Sequence, residues 1–259
     1  MQSNHIEDQE MKCMNISYFI AADVLFPLVK KYGYGIELTR FINKEILDNY
    51  KIYLSETIAD VSGIEEVVLH APFDNLSACS NDGYIVEDTN KYYQLMYDLA
   101  QALGAKGIVY HTCYEPSVLD FNKALKQSVT FWTRFLEGKD DIIFYMENVM
   151  EQGYHFQLEL YEQVNRPNFK ICLDVGHVNK NSICPITHWI KELNHAIGYV
   201  HLHNNNGIND EHNAINDGSL DMRQTLDSLL KYAPNAIWSL ETEGVIQSID
   251  WLKEHHYIQ

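Results

Sequence analysis

The chain has 259 residues, 46% of them hydrophobic, and a formal net charge of −17. Nucleic-acid affinity comes largely from Lys and Arg neutralising phosphates, and no Lys/Arg cluster is present, so no nucleic-acid partner is expected. Five cysteines without a CxxC pair, an N-terminus without signal-peptide order and the lack of any bilayer-length apolar run give the expectation of a cytoplasmic protein in a reducing compartment, with no membrane partner.

Residues 1–13 (MQSNHIEDQEMKC) are expected to form an N-terminal surface segment, and 14–259 a single domain. A first strand is predicted over 14–21 and a helix over 24–32, ended by Gly33. GIELTRF at 35–41 reads as the second strand, with Glu37 inside it, and 43–57 as a helix with Ile46, Leu47, Tyr50 and Leu54 at helical spacing. The third strand, 66–70, opens onto the polar loop APFDNLSACSNDGY. A helix over 86–103 closes at Gly104, the fourth strand is 107–111, and a helix follows over 119–137. Strand five is 141–147, followed by a helix near 154–164; strand six is 169–174, followed by a helix at 186–195 after Pro185. The seventh strand, 198–203, leads into NNNGINDEHNAINDGS, then come a helix over 221–232, strand eight over 236–241 and a closing helix over 246–257. Eight alternating strand and helix units favour an α/β fold of the (β/α)8 TIM barrel type. Tyr92, Tyr93, Tyr97 and Trp132 read as packing between helices and barrel.

Six of the strands end in an acid or an imidazole: VVLH in His70, IVYH in His111, FYME in Glu147, CLD in Asp174, YVH in His201 and WSLE in Glu241. The C-terminal ends of barrel strands carry the active site in this architecture. Imidazole and carboxylate without thiolate suit zinc, manganese, iron or cobalt. His203 lies on the same strand face as His201 and is the alternative seventh-strand ligand.

HAPFDNL at 70–76, His111, ENVMEQG at 147–153, CLDVGH at 172–177, HLHNNNG at 201–207, DEHNAINDG at 210–218 and LETEG at 240–244 together resemble the xylose isomerase-like TIM barrels. That superfamily covers the sugar phosphate isomerases/epimerases and the endonuclease IV group. The resemblance implies one to three divalent ions. One ion would fall to His70, His111, Glu147 and Glu241, a second to Glu147, Asp174, His201 and Glu241, and a third to His177, Asp210 and His212. Phe73, Asn75, Asn148 and His203 would contact substrate. The pattern departs at Asn204, where an acid is usual. It departs again in the absence of Arg between residues 204 and 221, and at Phe73, where the endonuclease branch has Tyr.

The implied activity is isomerisation or epimerisation of a small sugar, sugar phosphate or polyol, with Glu147 and Glu241 moving the proton. A di- or trinuclear phosphoesterase acting on a small phosphodiester and a non-catalytic sugar-binding barrel are the alternatives, and an oligomer is left open. An isomerase needs one ion. Convergence of His177, Asp210 and His212 beside the other ligands would therefore favour phosphate ester hydrolysis.

Overall fold

A computed structural model describes residues 14–17 and 22–258. The N-terminal segment 1–13 and residues 18–21 of the expected first strand lie outside the described residues. The strands are β1 (Met14–Ser17), β2 (Gly35–Leu38), β3 (Val67–His70), β4 (Gly107–His111), β5 (Ile143–Glu147), β6 (Phe169–Asp174), β7 (Ile197–Leu202) and β8 (Ile237–Leu240). Each pairs in parallel with its neighbour in chain order, and β8 pairs back onto β1, closing the barrel. The helices are α1 (Ala22–Tyr32), α2 (Lys44–Asp48), α3 (Tyr50–Val61), α4 (Gly83–Leu103), α5 (Phe121–Phe135), α6 (His155–Val164), α7 (Val175–Asn181), α8 (Ile186–Leu193), α9 (Met222–Tyr232) and α10 (Val245–Glu254). None of them is long and apolar enough to cross a membrane.

Three expectations about elements need correction. The second strand stops at Leu38, and Arg40–Ile42 winds into a 3-10 turn. The single helix expected over 43–57 is two, because the chain bends at Asn49, whose side-chain amide donates back to the Glu45 carbonyl. The third is α7, which had no apolar periodicity to announce it. It exists because the Asp174 side chain caps its N-terminus, accepting the His177 N–H at 2.6 Å.

Side-chain direction alternates along every strand. One parity, including Ile36, Leu69, Ile108, Tyr110, Phe144, Leu173, Val200 and Trp238, packs outward against the helices in the main core. The other parity faces the barrel axis, where Val68, Val109, Tyr145, Cys172 and Tyr199 form a small separate cluster. His70, His111, Glu147, Asp174 and His201 share that inward parity and sit one step nearer the strand ends. In β7 the alternation is reset: the register against β6 shifts between Ile171 and Cys172, so that Ile197 pairs with Ile171 and Tyr199 with Cys172. Gly198 is the extra residue. Ile197 consequently faces outward while Tyr199 and His201 face in, and a Cβ at 198 would lie 3.0 Å from the Tyr145 ring.

The outer layer is aromatic around α4 and α5. Trp132 is fully buried, stacked on Tyr93 at 5.5 Å and edge-on to Tyr110 at 5.2 Å, while Tyr92 and Tyr97 are also buried. The packing role expected for these rings holds.

Candidate metal centre

The inward-facing acids and imidazoles meet at the C-terminal mouth of the barrel in three adjoining groups. In the first, His70 Nε2 and His111 Nε2 lie 3.2 and 3.4 Å from Glu147 Oε2. His70 Nδ1 donates to the Ala71 carbonyl at 2.9 Å, which turns its Nε2 toward Glu147. In the second, His201 Nδ1 lies 2.9 Å from Glu241 Oε2, 3.4 Å from Glu147 Oε1 and 3.6 Å from Asp174 Oδ2. Glu147 therefore presents one oxygen to each group.

The third group is His177, Asp210 and His212. His177 Nε2 is 2.9 Å from Asp210 Oδ2, and His212 Nε2 is 3.7 Å from the same oxygen. The opposite ring nitrogens donate to backbone: His177 Nδ1 to the Asn148 carbonyl and His212 Nδ1 to that of Glu241, each at 2.9 Å. Both rings are thus oriented with Nε2 toward Asp210. His212 has φ of 48°, and the resulting turn is what brings its ring back over the site.

These groups fit divalent ions. His70, His111 and Glu147 place one donor atom each within 4.8 Å of one another, as do Glu147, Asp174, His201 and Glu241, and likewise His177, Asp210 and His212. His201 Nδ1, Glu241 Oε2 and Asp210 Oδ1 are buried with no hydrogen-bond partner among the described residues. Buried polar atoms without a partner are costly, and an ion among these donors would satisfy them.

The electrostatics fit the same reading. Burial opposes charge on Glu147 and Asp174, yet His201 and His111 beside the first, and His177 and His203 beside the second, hold both carboxyls well below the usual range. Burial pulls His177 and His201 down, but the surrounding carboxylates outweigh it and hold both well above the ordinary histidine value. His212 is pushed up to about 9 against its burial, chiefly by its hydrogen bond with Asp210. His111 goes the other way, because burial outweighs its contact with Glu147. An ion entering such a site displaces protons from the imidazoles, so binding is expected to strengthen with pH.

Other expected site residues lie elsewhere or work differently. Glu241 sits with His201 rather than with His70 and His111. His203 is fully buried; its Nε2 lies 3.1 Å from Asp174 Oδ1, and its ring stacks on His212 at 4.0 Å. Phe73 stacks face-to-face on His111 at 4.3 Å and forms one wall of the mouth. Asn148 does not face the opening: its Nδ2 donates to the Asp174 carbonyl and its Oδ1 accepts the Asp174 N–H, tying β5 to β6. Asn75 is exposed in a left-handed turn, lining a surface hollow with Tyr84 and Lys91, away from the ligand groups. Asn204 has a clear structural use. Its Nδ2 donates to the Ile215 and Leu220 carbonyls and its Oδ1 accepts the Leu220 N–H, so an acid there could not hold the long loop after β7 in the same way.

Two buried acids beside the site have no strand-end signature. Glu37, in mid-strand on β2, bonds His201, and Glu151 bonds the Thr112 hydroxyl and the Val149 N–H. Burial pushes the Glu151 carboxyl up to about 7. A carboxyl raised from about 4.5 in the unfolded chain binds its proton more tightly when folded, so its contribution is present below the unfolded value and is lost as pH rises toward 7. Glu151→Gln, which keeps the shape and removes the charge, is expected to gain about 1–3 kcal/mol relative to the wild type between pH 5 and pH 8. Urea unfolding at the two pH values measures this, and a constant difference between the two proteins would refute it.

The chain belongs to the xylose isomerase-like TIM barrel family, whose model matches residues 26–255. It is similar to the uncharacterized protein MJ1311 of Methanocaldococcus jannaschii, 24% identical over 204 residues, covering 73% of this chain and 70% of that one. Among solved structures it resembles a D-tagatose 3-epimerase-like protein, with TM-score 0.73 and 21% identity over 95% of this chain and 97% of that one. A second match is the TTHB071 protein from Thermus thermophilus, soaked with ZnCl2, with TM-score 0.75 and 21% identity over 93% and 96% of the two chains. At these identities the likeness establishes the shared barrel.

Proposed function

We propose that this chain is a divalent-metal-dependent enzyme that hydrolyses a small phosphate ester, with His70, His111, Glu147, Asp174, His177, His201, Asp210, His212 and Glu241 as its ion ligands. The observation that carries the reading is the convergence of His177, Asp210 and His212 beside the two groups that share Glu147. Proton transfer next to a carbonyl needs one ion; a phosphoryl centre gains from several, because charge builds on both the attacking and the leaving oxygen. Bound at these positions, divalent ions would supply Lewis acidity and acidify water near neutral pH. The chain's own residues do the orienting. Glu147 holds two groups in register through its two oxygens, and backbone carbonyls aim His70, His177 and His212. Phe73 lends an apolar face against which the organic part of a substrate would lie.

The zinc soak of the Thermus thermophilus relative is consistent with ion binding in this barrel. The second reading is a sugar isomerase or epimerase. It is supported by likeness to a D-tagatose 3-epimerase-like protein and by Glu147 and Glu241 both lying beside His201 Nδ1, where a proton could be taken and returned.

The test pairs elemental analysis with assays on bis(p-nitrophenyl) phosphate, small phosphomonoesters and free ketoses. Asp210→Ala is expected to lower phosphoester turnover at least about 100-fold with the barrel intact. Ketose interconversion that survives Asp210→Ala, with no phosphoester turnover in the wild type, would instead establish the second reading.

A further inference from the structure

Glu37 is an acid on the wall of the barrel interior, in register with Val68 of β3 and Ser17 of β1, and it is fully buried. A buried carboxylate is costly unless its lone pairs are met, and here they are met by side chains from two other strands. Tyr199 and Ser239 donate their hydroxyls to Oε2 at 2.9 and 2.8 Å, and His201 Nε2 lies 3.1 Å from both oxygens. The Tyr199 hydroxyl in turn accepts from Asn15 Nδ2 at 2.9 Å, which leaves its own proton for Glu37.

We infer that Glu37 is a positioning residue that selects which nitrogen of His201 faces the candidate metal centre. An ionised carboxylate only accepts, so the Nε2 beside it must carry the proton. When an ion displaces a proton from the ring, it is therefore the other nitrogen, Nδ1, that is left bare. It is the atom that lies 2.9 Å from Glu241 and has no hydrogen-bond partner among the described residues. The inference rests on the reading of His201 as an ion ligand and adds a residue that no strand-end pattern pointed to. Two features make the arrangement directional. Oε2 must accept two hydroxyls, so it has to be an oxygen. Oε1 has His201 as its hydrogen-bond partner, so its chemistry is read by that ring.

Glu37→Gln isolates this effect. The amide oxygen has to take the Oε2 place to satisfy Tyr199 and Ser239, which puts the NH2 group against His201 Nε2. Nε2 must then accept, and the ring proton moves to Nδ1, where it blocks the ion. Expected results are a fall in zinc affinity of about 10- to 100-fold with unchanged circular dichroism, and partial recovery in Glu37→Asp, which restores an acceptor. Nitrogen-15 NMR of histidine-labelled, zinc-loaded protein reads the tautomer directly. The wild type should carry the His201 proton on Nε2, and the Gln variant should carry it on Nδ1 at saturating zinc. A wild-type protein with the proton on Nδ1 overturns the inference without recourse to any variant. So does a Glu37→Gln protein with wild-type affinity and tautomer, in which case the metal reading itself survives. A wild type that binds no zinc overturns both, and the fault then lies with the metal reading.

Discussion

Glu147→Ala is expected to remove ion binding from two of the three groups at once and to lower turnover by at least about 1,000-fold. The reason is geometric. One oxygen of this carboxylate faces His70 and His111, and the other faces His201 and His177. Truncation leaves those four imidazoles without their shared anion, and neither group retains an acid in the same place. Asp174 and Glu241 border the second group and reach the third, Asp174 through His177 Nδ1 at 3.5 Å and Glu241 through His212, so alanine there should still leave the pair His70 and His111 aligned. Equilibrium dialysis against zinc, followed by elemental analysis, separates the cases. Near-wild-type turnover by a chelated Glu147→Ala protein would contradict the assignment.

The largest expected loss of stability lies away from the site. Trp132 is fully buried on α5 and contacts Tyr93, Tyr110, Phe131, Phe135, Phe144 and Phe169, whose ring centroids lie 5.2–6.5 Å from its own. Trp132→Ala would leave a cavity among rigid rings that cannot collapse to fill it. A cost of about 3–5 kcal/mol is expected, roughly 10 °C in Tm for a chain of this size. Differential scanning calorimetry measures it, and a shift under about 2 °C would mean that this aromatic layer repacks far more freely than its geometry allows.

The barrel was legible because its signals are local. Apolar runs that stop at an acid or imidazole mark strand ends, and glycines such as Gly104, with φ of 66°, mark where helices stop. The strand-end acids and imidazoles were legible for the same reason, since a period of two places them on one face. What the sequence hid depended on partners far away in the chain. Asn148 looked like a substrate contact because its motif sits at the mouth, yet only the folded chain brings the Asp174 backbone within reach of both its polar atoms. Asn75 belongs to the same loop as Phe73, and a left-handed turn at Asn75 sends the two side chains apart. Glu37 was overlooked because a mid-strand acid carries no periodic signature; Tyr199 and Ser239, which make it tolerable there, are 162 and 202 residues away. His212 was legible as a ligand type, whereas the backbone turn that aims it was not.

Six of the candidate ligands sit at or just past the ends of consecutive staves of the barrel, β3 through β8, and Glu37 extends the set to β2 through His201. The donors of the first two groups sit on neighbouring strands, whereas the Glu37–His201 contact joins β2 to β7 across the closure between β1 and β8. An ion held by several staves at once would act as a latch on that closure. It would favour the closed ring over every open form by mass action, about 4.1 kcal/mol for one site at a free concentration 1,000 times its dissociation constant.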